Sequence, residues 1–463
     1  MAKTCPDKDG VALAPGPSVQ EILDRDTRAV PPALREERFQ DLGCEAVPVE
    51  RYTDRAFFEL EMERMWPRVW QMACREEEIP RAGDHVLYEI GDWSWIVMRT
   101  AEDRIRAYAN ACLHRGRALR LADGHVETLR CPFHGFTWNL DGSIREVPCR
   151  WDFPHLRDED LRLPEAAVDT WGGFVFLRMS EDGPTLAEYL GALPDHFEAW
   201  DLASRWKAAH VGQVVDVNWK ACAEAFLESF HVKATHPQIM TTTADINTQY
   251  DVDSRENPFV NRMITPFGVP SPWLGEVPEE RILAGFTGGQ GRGAALPPGA
   301  TARQVLAERS REIFGRMSGR DFSGTSDAEM LDAIQYFVFP NFFPWGGASQ
   351  NIVYRFRPEK HDPGRTFMEV MLLLPAPLEG ERPKPARLRR LEPGQKWTDA
   401  PELGPLGPVF NQDRANLPHV QKGMRALRGR RGLQLARYQE SRIRQLHHTL
   451  MRFVEGDLGP EAS

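Results

Sequence analysis

Two short loops, each combining one cysteine with one histidine, limit most strongly what this chain can fold into. The first loop reads Cys112-Leu-His114-Arg-Gly116, and the second reads Cys131-Pro-Phe-His134-Gly135, with sixteen residues between His114 and Cys131. Each finger-like loop offers one thiolate and one imidazole. These four ligands fit a tetrahedral zinc ion. They also fit an iron–sulfur cluster in which two cysteines hold one iron and two histidines hold the other.

The distribution of these ligands favours the cluster. Zinc fingers set their cysteines in one loop and their histidines together on a helix, whereas each loop here carries one of each. A Rieske [2Fe–2S] centre requires this alternation. The surrounding runs HVLYEI, WSWIVMR, IRAYAN and GGFVFLR, separated by Gly, Asp and Pro turns, predict a compact all-β module. We therefore predict a Rieske cluster with the ligands Cys112, His114, Cys131 and His134.

A second group of metal-binding side chains lies in the segment NWKACAEAFLESFHVKATHP. Glu224, Glu228 and His231 follow one another at offsets of four and three, which places them on one stripe of a predicted helix. Pro237 biases His236 away from helical dihedral angles, so the helix is expected to break just before it. Such a break can bring both imidazoles onto one ion. Two histidines and a carboxylate are the ligands of non-haem Fe(II) oxygenases, although an amphipathic helix with two ordinary histidines is the alternative.

Taken in this order, CLHRG, CPFHGFTWNLDG and NWKACAEAFLESFHVKATHP resemble the motifs of Rieske non-haem iron ring-hydroxylating oxygenases, specifically their large α subunit. The resemblance covers most of the chain and implies an α+β fold. An all-β Rieske [2Fe–2S] domain would precede a helix-grip catalytic domain, in which an antiparallel sheet wraps around long helices. The expected divisions are an N-terminal arm over 1–48, the Rieske domain with its preceding helix over 49–165, the catalytic mononuclear iron domain over 166–455 and a tail over 456–463.

The resemblance also identifies the third iron ligand. The residues leave Glu228 and a distant downstream acid as candidates, but the family pattern has an acid followed eight positions later by Gln. Asp413 and Gln421 match this pattern, so the iron is expected on His231, His236 and Asp413. Poorer matches are Asp399, Glu402 and Glu440.

In the family, the acid three residues before the first iron histidine bridges to a Rieske histidine of the neighbouring subunit. By this resemblance, Glu228 would accept hydrogen bonds from His231 of its own chain and from His134 of the next, and carry electrons between them. Such a bridge implies a head-to-tail homotrimer, and an α3β3 assembly with a small β subunit is open as well. The role of Glu224 stays open between a second acid on this path and an interfacial residue.

The implied function is that of a terminal oxygenase. With O2, and with electrons from a separate NAD(P)H-dependent reductase or ferredoxin, it would mono- or dihydroxylate an aromatic or other hydrophobic small molecule. The aromatic run over 335–345 fits such a substrate but fits ordinary core as well. A monooxygenase or demethylase of a quaternary ammonium or methylated compound is the alternative. An electron-transfer protein without oxygenase activity is a further one.

Composition narrows the expected partners and the expected cellular location. A net charge of -10 in 463 residues gives no general affinity for nucleic acid. The sequence contains no run of about 18 apolar residues, so no membrane helix is predicted. The N-terminus also lacks the apolar region of a signal peptide. We therefore expect a cytoplasmic protein. The remaining cysteines are expected to be reduced thiols: Cys5, Cys44, Cys74, Cys149 and Cys222.

Two further segments carry structural predictions. Residues 241–300 are rich in Gly and Pro, which predicts a long surface excursion, either a lid over the pocket or a disordered insertion. The apolar spacing from about residue 433 to 454 predicts one long C-terminal helix. In that helix, His447 and His448 are expected to be solvated or core residues rather than metal ligands.

Overall fold

A computed structural model describes residues 15–286, 296–349 and 351–456. Within these ranges, the first ten strands are β1 (Gln71–Arg75), β2 (Asp84–Ile90), β3 (Trp93–Arg99), β4 (Ile105–Ala109), β5 (Gly124–His125), β6 (Leu129–Arg130), β7 (Thr137–Trp138), β8 (Ile144–Glu146), β9 (Glu165–Trp171) and β10 (Phe174–Arg178). The following strands are β11 (Trp206–Val215), β12 (Gln249–Asp251), β13 (Val260–Thr265), β14 (Ala333–Val338), β15 (Phe342–Pro344), β16 (Asn351–Glu359), β17 (Asp362–Leu374) and β18 (Arg389–Leu391).

The α-helices of the described residues are short up to residue 286, and the longer ones all follow it. They are α1 (Val19–Leu23), α2 (Pro32–Arg35), α3 (Glu50–Thr53), α4 (Arg55–Leu60), α5 (Leu186–Leu190), α6 (Leu193–Phe197), α7 (Trp219–Glu224), α8 (Val232–Thr235), α9 (Glu279–Phe286), α10 (Ala302–Ser318), α11 (Asp327–Leu331), α12 (Leu406–Leu427) and α13 (Ser441–Glu455). In the part of the chain that is described, none of them has the length and apolar character that crossing a membrane requires.

Residues 71–178 form the predicted all-β module. Its seven-stranded sheet has the order β1-β10-β9-β4-β3-β2-β5, and β6, β7 and β8 form a separate small sheet. The loop of Cys112 follows β4, and the loop of Cys131 connects β6 to β7. Strands β9 and β10 pair with β4 and β1, so this sheet extends past residue 165, the predicted end of the domain, to Arg178.

The second part of the chain is an eight-stranded sheet with helices packed against it. The strand order is β12-β13-β14-β15-β16-β17-β11-β18, and the described pairings are antiparallel except for β11 with β18. A large apolar core cluster joins both sheets, running from Val97 of β3 through Trp66 to Val370 of β17. The predicted α+β fold is therefore confirmed.

Two local predictions need correction. The C-terminal helix begins at Ser441, later than predicted, because the N–H of Val47 donates to the Leu433 carbonyl and the N–H of Leu433 donates back, which fixes an extended backbone there. The surface excursion over 241–300 is wrong for its first part, since β12 and β13 are buried members of the second sheet. Residues 287–295 of that segment lie outside the described residues.

The cysteine prediction is also only partly right. Cys74, Cys149 and Cys222 are free thiols, as predicted. Cys44 is disulfide-bonded, so the expectation of a reduced thiol is wrong there. Cys5 lies outside the described residues.

Candidate metal centres

The two predicted cluster loops close in the same way. In each, the cysteine N–H donates to the carbonyl just after the glycine, at 2.8 Å in both loops. The glycine N–H donates back to the cysteine carbonyl, from Gly116 to Cys112 at 2.8 Å and from Gly135 to Cys131 at 3.0 Å. Both glycines have φ in the left-handed region, +72° and +84°, where a side chain is disfavoured. Two unrelated stretches of sequence thus form equivalent turns, each with a cysteine at its base.

The two thiols lie inside these turns and interact with each other. Cys112 and Cys131 are 3% and 1% exposed. Burial raises the pKa of Cys112, and the neighbouring Cys131 adds to that rise. Burial disfavours the Cys131 thiolate too, but the backbone N–H groups of Phe133 and His134 outweigh it and lower its pKa. Loop N–H groups aimed at sulfur are the environment that a metal-binding thiolate needs.

The two imidazoles face each other at the end of these loops. The ring centroids of His114 and His134 are 4.6 Å apart at an interplanar angle of 74°. His114 stacks on Phe136 at 4.9 Å, and its buried Nδ1 has no hydrogen-bond partner among the described residues. A buried ring nitrogen without a protein partner is uncommon and is what a metal ligand provides. The residues of the two loops therefore fit a [2Fe–2S] cluster.

The two loops expose apolar side chains. Leu113 and Phe133 are 37% and 56% exposed, and the Arg115 guanidinium lies over the Phe133 ring at 5.2 Å. Exposed large apolar side chains are a feature of protein–protein contact surfaces when they form a patch.

At the second centre, the predicted helical stripe of Glu224, Glu228 and His231 does not form. Helix α7 ends at Glu224, and α8 begins only after His231. Two N–H groups bond elsewhere: the Ser229 N–H donates to the Tyr250 hydroxyl at 3.1 Å, and the His231 N–H donates to the Glu228 carboxylate at 3.0 Å. Both N–H groups are therefore unavailable for helical hydrogen bonds. The break lies before His231 as well as at His236.

The interrupted backbone nevertheless brings the two histidines together, with Asp413 of α12. His236 Nε2 lies 2.9 Å and His231 Nε2 3.7 Å from Asp413 Oδ1, and one ligand atom from each residue falls within 4.8 Å of the others. His236 and Asp413 are buried and His231 is partly exposed. Ligand bonds of about 2 Å separate neighbouring ligand atoms by roughly 3–4 Å. This group of side chains fits one metal ion with room for further ligands.

The other ring nitrogen of each histidine is held by an oxygen. His231 Nδ1 lies 2.6 Å from Glu228 Oε1, and His236 Nδ1 lies 2.8 Å from Gln412 Oε1. Burial disfavours a charge on His231, but Glu228 and then Asp413 outweigh it and raise its pKa to about 8. Donation from Nδ1–H to these oxygens leaves both Nε2 lone pairs for the ion, which is the usual arrangement of histidine ligands.

Glu224 lies in a different environment. It is 8% exposed, and its Oε1 is 2.8 Å from the Tyr52 hydroxyl and 2.8 Å from His447 Nε2. This buried group joins α3, α7 and α13. His447 is 1% exposed, as expected for a core residue.

Gln421 and Gln412 are the site residues whose contacts the sequence did not reveal. The Gln421 side chain accepts from the Asn218 N–H at 2.8 Å and donates to the Tyr52 carbonyl at 3.3 Å. It therefore fixes α12 against the start of α7, which explains an acid and a Gln eight positions apart on one helix. Gln412 directly precedes Asp413. The contact between the Gln412 side chain and His236 arises from the tertiary fold.

Aromatic side chains form a cluster near Asp413. The Tyr354 ring lies 4.9 Å from Phe226, 5.9 Å from Phe410 and 6.1 Å from Trp345. Burial and then the charge of Asp413 raise the pKa of Tyr354. Trp345 comes from the predicted aromatic run, and its buried Nε1 has no partner among the described residues. Most other aromatics of that run lie in the core.

Two family models match the chain. The model described as "Ring hydroxylating alpha subunit (catalytic domain)" matches residues 197–456, and the model described as "Rieske [2Fe-2S] domain" matches residues 69–157. The two matches contain all seven predicted metal ligands.

Characterised relatives match over part of their length. The glycine betaine monooxygenase oxygenase subunit of Pseudomonas aeruginosa is 29% identical over 202 residues, 42% of this chain and 46% of that protein. The biphenyl 2,3-dioxygenase subunit alpha of Rhodococcus jostii is 31% identical over 220 residues, 45% of this chain and 46% of that protein. The chain thus spans about half the length of the curated relatives it matches.

Solved structures share the fold over most of the chain. A structure of a quaternary ammonium Rieske monooxygenase superposes with a TM-score of 0.64 at 16% identity, covering 90% of this chain and 99% of that one. Naphthalene 1,2-dioxygenase from Rhodococcus sp. bound to indole gives a TM-score of 0.61 at 20% identity, covering 90% and 95%.

Proposed function

Because the chain belongs to the family of Rieske non-haem iron ring-hydroxylating oxygenase α subunits, we propose that it is the terminal oxygenase component of a multicomponent enzyme. The two cofactors predicted from the sequence, a Rieske [2Fe–2S] cluster and a mononuclear non-haem iron, are confirmed by its two domains. Electrons would come from NAD(P)H through a separate reductase or ferredoxin. The cytoplasm, which supplies NAD(P)H, is its proposed location.

We assign Cys112, His114, Cys131 and His134 to the cluster and His231, His236 and Asp413 to the iron. The observation that carries the function is the convergence of these last three ligand atoms within 4.8 Å. Two histidines and one carboxylate leave open positions on an iron, where O2 and substrate meet. A pure electron carrier would not need this second set of ligands.

The metals supply the oxidation, in which O2, two electrons and two protons convert a C–H bond to C–OH and water, or add both oxygen atoms to a C=C bond. The chain's own side chains orient the ligands and exclude water. Glu228 and Gln412 fix the two imidazoles through Nδ1. Phe226, Tyr354 and Phe410 provide an apolar wall.

That wall supports an aromatic or other hydrophobic substrate. Apolar pockets with a few polar groups are the usual form of small-molecule sites. The buried Trp345 Nε1, which has no partner in the described part of the chain, offers one donor for orienting a substrate.

A quaternary ammonium compound is the second candidate substrate, and the same rings favour it. Aromatic faces attract such cations by about 0.5–2 kcal/mol, and Tyr354 has aromatic neighbours on several sides. The similarity to glycine betaine monooxygenase supports this class.

Electron delivery through Glu228 between subunits is the third part of the proposal. Glu228 already bonds His231 within the chain, and Phe230 beside it is 49% exposed. The exposed apolar side chains of the cluster loops, Leu113 at 37% and Phe133 at 56%, are suitable partners for this region. A head-to-tail homotrimer would join the two surfaces, with or without a β subunit. Light scattering of the purified chain tests the assembly.

The substrate classes are distinguished by paired compounds. The iron-loaded enzyme with a surrogate reductase is offered aromatic hydrocarbons, trimethylammonium compounds and the neutral tert-butyl isosteres of the latter, under ¹⁸O2. Oxygenated aromatics support the first class. Turnover of the cation at about 2- to 30-fold above its isostere, from the cation–π range, supports the second. If a fully loaded enzyme incorporated no ¹⁸O into either class, the proposed substrates would be wrong.

An electron-transfer protein without oxygenase activity is distinguished by its iron content. An oxygenase holds about three irons per chain, two in its cluster and one on the facial ligands, whereas a carrier holds about two. Iron and acid-labile sulfide analysis of the purified protein decides between them.

A further inference from the structure

We propose that Gln412 is a positioning residue that holds His236 in the iron-binding tautomer through an uncharged hydrogen bond at Nδ1, and so leaves Nε2 directed at the iron. The proposal deepens the proposed function, because it rests on His236 being an iron ligand. Gln412 itself is not one of the predicted metal ligands.

The contacts of Gln412 form a closed set. Its Oε1 lies 2.8 Å from His236 Nδ1 and also accepts from Gln238 Nε2 at 2.7 Å. Its Nε2 donates back to Gln238 Oε1 at 3.2 Å. The two amides therefore pair reciprocally, which holds the Gln412 side chain in place with its carbonyl oxygen facing the histidine.

This orientation determines which nitrogen of His236 carries hydrogen. A carbonyl oxygen facing Nδ1 accepts a hydrogen bond, so Nδ1 carries a proton and, when the ion is bound, the lone pair of Nε2 is directed to it. That Nε2 is the atom directed at Asp413, 2.9 Å away. The position is fixed along the chain too, since Gln412 and Asp413 are consecutive in α12.

The two histidines thus differ in the charge of their outer partner. His231 faces the carboxylate of Glu228, whereas His236 faces a neutral amide. A carboxylate partner makes an imidazole a more basic ligand, and added negative charge favours ferric over ferrous iron. The neutral amide of Gln412 adds no negative charge, so it limits the preference for ferric iron while it still orients the His236 ring.

The test uses the holoenzyme with its cluster intact and measures Fe(II) affinity against a competing chelator. Gln412→Leu removes the acceptor, and we expect affinity to fall about 10- to 100-fold, the usual range for outer partners of metal ligands. Gln412→Glu keeps an acceptor but adds charge. It should retain Fe(II) affinity and raise the Fe(III)-to-Fe(II) affinity ratio about tenfold, which equals 59 mV for one electron.

Asn416→Leu is the matched control, because Asn416 lies one turn further along α12 and bonds Thr235 rather than His236. It should leave the Fe(II) affinity and the Fe(III)-to-Fe(II) affinity ratio unchanged. Equal losses of Fe(II) affinity in the Leu and Glu variants would indicate a merely structural amide pair and overturn the proposal. Unchanged affinity in Gln412→Leu would also overturn it. His236→Ala tests the premise separately, since full iron retention there would refute the ligand assignment itself.

Discussion

The four predicted cluster ligands come from one stretch between Cys112 and His134, whereas His236 and Asp413 of the predicted iron site are 177 positions apart. In the first region, backbone hydrogen bonds inside each loop set the geometry. In the second, the distant helix α12 carries the predicted ligand Asp413, its neighbour Gln412 and the anchor Gln421. One site depends on local turns and the other on tertiary packing.

The difference suits the two tasks. A cluster that only exchanges electrons can be held by two rigid fingers at the surface, where His134 is exposed. An oxygenase iron needs open positions facing a dry pocket, and only several elements packed around it can provide both. The two sites are therefore expected to be separable by mutation.

The largest effect is expected from Cys131→Ser. The cluster loses a thiolate ligand that serine replaces poorly, so iron should fall from about three to about one per chain and turnover should cease. The remaining iron should still bind, because its ligands lie in a separate part of the fold. Iron and sulfide analysis with visible spectroscopy measures this. Cys149→Ser is the control, since Cys149 is a free, exposed thiol. Loss of both metals together would mean that the sites are not independent.

The converse variant, Asp413→Ala, should lose the mononuclear iron and keep the cluster. Outer partners alone cost 10- to 100-fold in metal affinity, so we expect at least about 100-fold from a ligand. Chelator competition and the cluster's visible spectrum report the two sites separately. Glu402→Ala is the matched control, because this acid was a poorer match and pairs with Arg389 on the surface. Normal iron affinity in Asp413→Ala would refute the ligand.

The same contrast explains which parts of the two sites could be predicted from the sequence. The cluster loops were predictable because their ligands, glycines and order are local. Asp413 came only from the resemblance, since nothing in its own neighbourhood distinguishes it from other helix acids. Its closeness to His231 depends on how α12 packs, and no spacing of residues along the sequence predicts that packing.

The failures have physical causes as well. The helical stripe through Glu224 and His231 was wrong because Tyr250 and Glu228 take N–H groups that a helix would use. The Tyr250 hydroxyl comes from β12, outside the segment, so propensity along the segment cannot foresee it. The predicted domain boundary at 165 and the roles of the metal ligands stay predictions.

A smaller effect is expected from Glu228→Gln. The amide keeps an acceptor for His231 but removes the charge that the proposed bridge to His134 of the next subunit requires. Iron content should be normal, while single-turnover electron transfer from cluster to iron should slow about 10- to 100-fold. Glu228→Asp should restore much of the rate, because the carboxylate is retained. An unchanged rate in Glu228→Gln would exclude the bridging role.

The smallest effects concern the glycines, and they test why one region depends on local turns. Gly116 and Gly135 have φ in the left-handed region, where a Cβ costs about 1–2 kcal/mol. A Cβ at Gly116 meets nothing within 4 Å, whereas one at Gly135 meets Arg130 Nη2 at 3.2 Å and the Pro148 ring at 3.4 Å. Gly135→Ala should therefore destabilise the cluster loops more than Gly116→Ala.

Gly423 of α12 gives the opposite expectation. A Cβ there meets nothing within 4 Å and the residue is helical, so Gly423→Ala should stabilise the protein by about 0.5–1 kcal/mol. Denaturant unfolding followed by cluster absorption and by helical circular dichroism measures all three variants. Opposite signs between the loop and helix glycines would support a turn-determined cluster site beside a packing-determined iron site. Equal destabilisation by all three variants would contradict it, because a turn requirement cannot apply to a helical glycine.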